Sequence, residues 1–185
     1  MAFQHQFDPT TLREYDIRGV VGRTLHDQDA FAIGRTFGSV VARAGGERVA
    51  VGYDGRLSSP DLSQALVDGL KASGMEVLRV GRGPTPMLYF AATTLETDGA
   101  VMVTGSHNPP DYNGFKMMLG RKAFFGADIQ RIGRMAAEGD VVPETTGTER
   151  DVDVSEATFS DKRVGGGFSD CTFYYMRLTG ELDFN

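Results

Sequence analysis

Four short apolar runs constrain this chain more than any other feature. They are Arg-Val-Ala-Val-Gly at 48–52, Glu-Val-Leu-Arg-Val at 76–80, Gly-Ala-Val-Met-Val at 99–103 and Gly-Phe-Lys-Met-Met-Leu at 114–119. Each has the length and composition of a buried strand. The first three are separated by helix-like stretches. Ser58-Ser59-Pro60-Asp61 combines a cap serine with a first-turn proline, and the apolar face Leu62, Ala65, Leu66 and Leu70 follows until Gly74 stops it. Pro84-Thr85-Pro86 opens a second helix over 87–95. Outside the strand series, Phe31, Ile33, Phe37, Val40 and Val41 give helical spacing over 27–44, ended by Gly45-Gly46. Ile129, Ile132, Met135 and Ala136 do the same for 127–137. This rhythm predicts an α/β fold, a three-layer αβα domain with a mainly parallel mixed sheet.

The pattern covers residues 1–157 as one domain. From about Thr158 it stops, and 158–185 show neither period; the run Cys171-Thr-Phe-Tyr-Tyr-Met176 has strand propensity but follows three glycines without a clear partner. A length of 185 residues fits one domain or slightly more. The formal charge of −6, with no basic stripe, argues against nucleic-acid binding. One cysteine, Cys171, allows no internal disulfide and fits a reducing compartment. The start lacks a basic-then-apolar leader pattern, and no apolar run has membrane-spanning length, so a cytoplasmic protein without membrane contact is expected.

The third strand runs into Thr104-Gly-Ser-His-Asn-Pro-Pro-Asp-Tyr-Asn-Gly-Phe-Lys116. Ser106 therefore leaves the sheet where open α/β sheets hold ligands. Asn108-Pro109-Pro110 and Asn113-Gly114 force turns after it, and Lys116 adds a cation ten residues on. That arrangement suits covalent phosphoryl chemistry, but a turn serine, a helix cap or a solvent hydroxyl would look alike here. Several catalytic classes are excluded. A nucleophile elbow needs glycine where Thr104 and Asn108 stand. No Gly-Lys-Ser/Thr phosphate loop occurs. His107, adjacent to Ser106, points away from it on extended backbone and forms no dyad with it. Singly, His107 reads as a structural histidine, Lys116 as a surface charge and Arg18 as a partner of Asp16.

Their order along the chain is more specific than any one of them. Tyr15-Asp-Ile-Arg-Gly19, Val51-Gly-Tyr-Asp-Gly-Arg56, Gly83-Pro-Thr-Pro86, Thr104-Gly-Ser-His-Asn-Pro109 and Asn113-Gly-Phe-Lys116 together resemble the first domain of the α-D-phosphohexomutases. The match is strongest with the bacterial phosphomannomutase/phosphoglucomutase branch and covers about 12–157. Tyr53 departs from it, since many relatives carry arginine there; the expected consequence is an altered local salt bridge.

The resemblance implies reversible transfer of a phosphoryl group between the 1- and 6-positions of a hexose phosphate. Ser106 would carry that group and, through it, a Mg²⁺ ion; a hexose 1,6-bisphosphate would be intermediate and activator. His107 and Lys116 would stand near the proton transfers, Arg18 near the attacked phosphoryl group, and Tyr15 near bound substrate. Mannose or glucose phosphates are the implied partners, with glucosamine phosphate a weaker fit to Asp111-Tyr-Asn-Gly-Phe-Lys116. Relatives of this kind have four domains, and their Asp-Gly-Asp, Gly-Glu-x-Ser-Gly and Arg-x-Ser-Gly-Thr motifs are missing here. A truncation, a frameshift or a natural short form would each give this pattern. The expectations are little turnover by this chain alone and self-association through the face normally covered by the second domain. The alternative is a non-catalytic remnant that binds phosphosugar or assembles with a partner chain.

Overall fold

The computed structural model describes residues 3–154. In chain order the elements are β1 (Ile17–Val20), α1 (Asp27–Arg43), β2 (Arg48–Tyr53), α2 (Ser59–Lys71), β3 (Glu76–Arg82), α3 (Thr85–Thr94), β4 (Gly99–Val103), β5 (Tyr112–Leu119), β6 (Lys122–Phe124), α4 (Ala127–Glu138) and β7 (Thr148–Asp151). All four expected strands and all four expected helices are present.

The strands form one sheet in the order β1-β5-β4-β2-β3-β7, with β6 beside β5. β4, β2, β3 and β7 pair in parallel, while β5 is antiparallel to β1, β4 and β6. Only β5 therefore runs against the common direction. The sheet is mixed and mainly parallel, as the alternation of elements predicts.

Alternation along the strands assigns the layers. Val49, Val51, Val101 and Val103 bury into one face with side chains of α1, α2 and α4; Ala50, Ala100 and Met102 bury into the other with Met87, Leu88 and Ala91 of α3. A strand buried on both faces needs apolar residues at every position, so β4 reads Gly-Ala-Val-Met-Val without interruption.

α1 and α2 touch backbone to backbone. A Cβ on Gly34 would lie 2.3 Å from the Leu66 carbonyl oxygen, and one on Gly69 would lie 2.2 Å from that of Phe31. At this crossing any side chain larger than hydrogen would force the helices apart.

Three strands lie outside the sequence pattern. β1 sits in the Tyr15–Gly19 motif, β6 has three residues, and β7 reads Thr-Glu-Arg-Asp with every position exposed. β7 carries no apolar alternation because it is an edge strand, and its charges also discourage pairing with another chain. Ser58 precedes α2 as expected, but its hydroxyl accepts from Asn113 Nδ2 at 2.9 Å rather than capping the helix. The 158–185 segment, with Cys171 and the run to Met176, lies outside the described residues.

Candidate active site at the C-terminal edge of the sheet

α2 follows β2 on one face of the sheet, and α3 follows β3 on the other. Connections that leave adjacent parallel strands toward opposite faces open a crevice beyond the strand ends. A cleft of about 820 Å³ occupies that place. Its walls are Asp54–Ser58 after β2, Arg82–Thr85 after β3, and Ser106, Asn108 and Pro110 after β4, with Met102 at the sheet end.

Ser106 is exposed and holds φ +53°, one of two non-glycine residues in the left-handed region among those described. That conformation costs about 1–2 kcal/mol for an L-residue, so surrounding bonds must hold it. Ser106 N donates to Thr104 Oγ1 at 2.9 Å, and Gly105 N donates to Asp54 Oδ2 at 3.1 Å. The Ser106 carbonyl accepts from Arg56 Nη2 at 3.1 Å. The same guanidinium donates to the carbonyls of Asn108 at 2.7 Å, Pro109 at 2.7 Å and Tyr112 at 3.1 Å. Its Nε lies 3.3 Å from Asp54 Oδ2.

Asp54 is itself fixed, its Oδ1 accepting from Arg56 N at 3.0 Å and Ser59 Oγ at 2.6 Å. Fully buried Asn113 donates to Ser59 Oγ at 2.9 Å, tying the start of β5 to the start of α2. The serine loop thus hangs on the Asp-Gly-Arg segment behind it. The hydroxyl of Ser106 has no hydrogen bond among the described residues.

Lys116 and Arg18 form a second cluster. Arg18 pairs with Gly114 across β1 and β5, and Lys116 pairs with Met102 across β5 and β4. Cross-strand partners share a face, and residues two apart on one strand do too. Arg18 and Lys116 therefore project on the face of Met102, which lines the cleft. Both reach the carboxylate of Asp16, which is only 5% exposed: Lys116 Nζ lies 3.1 Å from Oδ2, and Arg18 Nη2 bonds the same oxygen. Tyr15 is 74% exposed and stacks on Phe125, ring centroids 6.3 Å apart. His107 is exposed, with no hydrogen bond among the described residues. The cleft wall includes Ser106 but not His107, Lys116, Arg18 or Tyr15.

Comparison with known proteins gives this arrangement a family. The family described as phosphoglucomutase/phosphomannomutase, alpha/beta/alpha domain I, matches residues 9–140. The chain belongs to that family. A phosphoglucomutase of Neisseria gonorrhoeae is 47% identical over 154 residues, which is 83% of this chain and 33% of the relative. The phosphomannomutase/phosphoglucomutase of Pseudomonas aeruginosa strain PAO1 is 45% identical over 151 residues, 82% of this chain and 32% of the relative. A crystal structure of a phosphoglucomutase/phosphomannomutase family protein from Burkholderia thailandensis superposes with a TM-score of 0.77 at 43% identity, covering 82% of this chain and 35% of the other. The chain spans about a third of the length of the curated relatives it matches.

Within this domain I the described residues do not build a magnesium site. They contain no group of three or more His, Cys, Asp or Glu that could hold a metal ion. The carboxylate touching the serine loop, Asp54, is bound to Arg56, Gly105 and Ser59. Among the described residues no helix is long and apolar enough to cross a membrane.

Among the loop's anchors, Asp54, Arg56 and Ser59 had no anchoring role in the sequence reading, and Asn113, expected with Gly114 to force a turn, lies instead inside β5, paired with Gly19 of β1. The available signal was a charged pair around a glycine directly after a buried strand, at the sheet edge where Ser106 also emerges.

Proposed function

We propose that this chain is the catalytic-serine domain, residues 1–157, of a phosphohexomutase acting on mannose or glucose phosphates, with Ser106 as the phosphoryl carrier. The observation that carries this reading is the unbonded hydroxyl of Ser106, held at the cleft by a loop whose backbone is fixed on both sides of it. In the forward half-reaction, a sugar hydroxyl oxygen bonds to phosphorus as the phosphorus–Oγ bond of phosphorylated Ser106 breaks. The hydroxyl's proton passes to a base, and the departing Oγ receives one. The second half-reaction returns the other phosphoryl group of the hexose 1,6-bisphosphate to Ser106.

Exposed His107 fits the base and Lys116, held by Asp16, the group that supplies a proton to Oγ. Arg18 offers its guanidinium to the transferring phosphoryl group, and Tyr15, stacked on Phe125, offers a ring face to the sugar. Such a group brings about −1.5 to −2 charges at neutral pH, and Arg18 and Lys116 supply opposing charge. Mg²⁺, bound through the phosphoryl group, belongs to the reading as a cofactor whose other ligands are not among the described residues. The cytoplasm, with its reduced thiols and sugar phosphates, is the compartment this reading implies.

The test is intact-mass measurement after incubation with α-D-glucose 1,6-bisphosphate and Mg²⁺. A single phosphoryl adduct that disappears in Ser106→Ala supports the reading. A folded protein with no adduct points instead to a non-catalytic remnant that binds phosphosugar or completes its site with a partner chain.

A further inference from the structure

The guanidinium of Arg56 is saturated by one loop. Its two Nη atoms carry four N–H groups, and these meet four main-chain carbonyls, of Ser106, Asn108, Pro109 and Tyr112. The remaining nitrogen, Nε, forms an ion pair with Asp54 Oδ2 at 3.3 Å. Arginine has five donors in a fixed planar fork, whereas lysine gathers three at one point. No other protein side chain could satisfy this set. The packing is also closed from behind, because a Cβ on Gly105 would fall 2.2 Å from Arg56 Nε.

Three of the four carbonyls belong to the segment 106–109, and the one on Ser106 decides the geometry. With Ser106 N bound to Thr104 Oγ1 and its carbonyl bound to Arg56, both peptide planes flanking its Cα are fixed. Those planes define the left-handed φ of +53°, and φ and ψ together aim the Cα–Cβ bond that carries Oγ. Removal of the guanidinium leaves a non-glycine residue in a costly conformation without the bond that holds its carbonyl. The serine then relaxes toward ordinary backbone, and its hydroxyl leaves the line of attack.

We infer that Arg56 is the positioning residue for the nucleophile: it acts on the reaction through the conformation of Ser106, not by touching the substrate. This rests on the reading of Ser106 as phosphoryl carrier. In the step concerned, Oγ bonds to phosphorus, the phosphorus–oxygen bond to the sugar breaks, and the serine proton ends on the sugar oxygen. A displaced Oγ slows that step by about 100-fold, the order expected when a reacting atom moves by about 1 Å.

The experiment follows phosphoryl uptake from α-D-glucose 1,6-bisphosphate with Mg²⁺ by intact mass, in the wild type, Arg56→Ala and Arg56→Lys. Hydrogen exchange of the 104–112 amides and circular dichroism melting are measured on the same proteins. The expected result is uptake slowed about 100-fold in both variants, exchange raised in 104–112 with other segments unchanged, and uptake by Arg56→Ala restored by millimolar guanidinium but not by sodium. A role limited to general stability would raise exchange throughout the protein rather than in 104–112 alone. Uptake at the wild-type rate in Arg56→Ala overturns the inference, as does slow uptake that guanidinium leaves untouched. Absence of uptake in the wild type rejects the phosphoserine reading itself. The exchange data then decide Arg56 alone: wild-type exchange in Arg56→Ala rejects its hold on the loop, and a local increase upholds it.

Discussion

Lys116 Nζ lies 3.1 Å from Asp16 Oδ2, and Arg18 bonds that same oxygen, so one buried carboxylate organises two cations on different strands. Sharing makes the three residues unequal. Substitution Asp16→Asn leaves two adjacent cations without their counter-charge, while Lys116→Met leaves Asp16 still paired with Arg18. Removing one member of a buried ion pair costs about 3–5 kcal/mol. Arg18 and Lys116 are partly exposed, at 21% and 31% of their side chains. Solvent screening therefore brings the expected loss for Asp16→Asn down to about 1–3 kcal/mol. Lys116→Met is expected to cost less than half of that. Urea unfolding of both variants and their double mutant checks the order; equal losses would mean that Asp16 does not act as the shared partner.

Ser106 carries a conformational cost that two substitutions separate. Alanine at 106 keeps the left-handed φ and its strain, whereas glycine adopts it freely. Both lack the hydroxyl. Ser106→Gly should therefore be more stable than Ser106→Ala by about 1 kcal/mol, less the extra freedom glycine has in the unfolded chain. Neither variant should take up a phosphoryl group. Calorimetry of the pair is the measurement, and an alanine variant at least as stable as the glycine variant would show that this backbone is unstrained.

The parts of the fold that bury side chains on a regular period were legible in the sequence. β2, β3, β4 and β5 are apolar on the faces that meet the helices, and α1, α2 and α4 show their buried stripes. β7 was not legible because an edge strand made of Thr-Glu-Arg-Asp buries nothing. For the site, the motif order singled out Ser106, Lys116 and Arg18, and Asp16 stood in view as a partner for Arg18, whereas Lys116 read as a surface charge without one. The Lys116–Asp16 contact depends on β1 lying beside β5, a long-range pairing with no local signature. Likewise Arg56 reads as an ordinary loop cation until four carbonyls from a segment fifty residues later surround it. Hydrogen bonds to main chain leave no trace in the identity of the accepting residues.

The α1–α2 crossing predicts a sign opposite to helix propensity. Alanine favours a helix over glycine by about 1 kcal/mol per residue, so an isolated helix would gain from Gly34→Ala or Gly69→Ala. Here the added methyl lands 2.3 Å or 2.2 Å from a carbonyl oxygen of the facing helix. Overpacking of that kind typically costs about 1–3 kcal/mol, occasionally more. Backbone cannot rotate aside as a side chain can, which places both variants at the upper end. Each should melt below the wild type, and a raised melting temperature for either would mean that the helices separate at little cost.

Acid should loosen the β3–β7 edge through Glu76. Its carboxylate accepts from Arg150 Nε at 3.1 Å and Arg48 Nε at 3.0 Å, linking β7, β3 and β2. These two bonds, that from Arg150 foremost, hold its pKa below the ordinary 4.5. A carboxylate whose folded pKa is depressed stabilises the fold above its unfolded pKa, and the contribution disappears as pH falls through the folded value. The effect is therefore complete at neutral pH and is lost below about pH 4.5, in the acid range where Glu76 takes up its proton. The side chain is 33% exposed, so the contribution is that of a screened surface pair. Glu76→Gln should lower the melting temperature at pH 7 by on the order of a few degrees at most. The gap to the wild type should shrink progressively as the buffer is taken from pH 5 to pH 3. A gap that does not change between pH 5 and pH 3 would assign the loss to packing of the side chain, since a depressed carboxylate pKa makes the charge contribution fall with pH below the unfolded value.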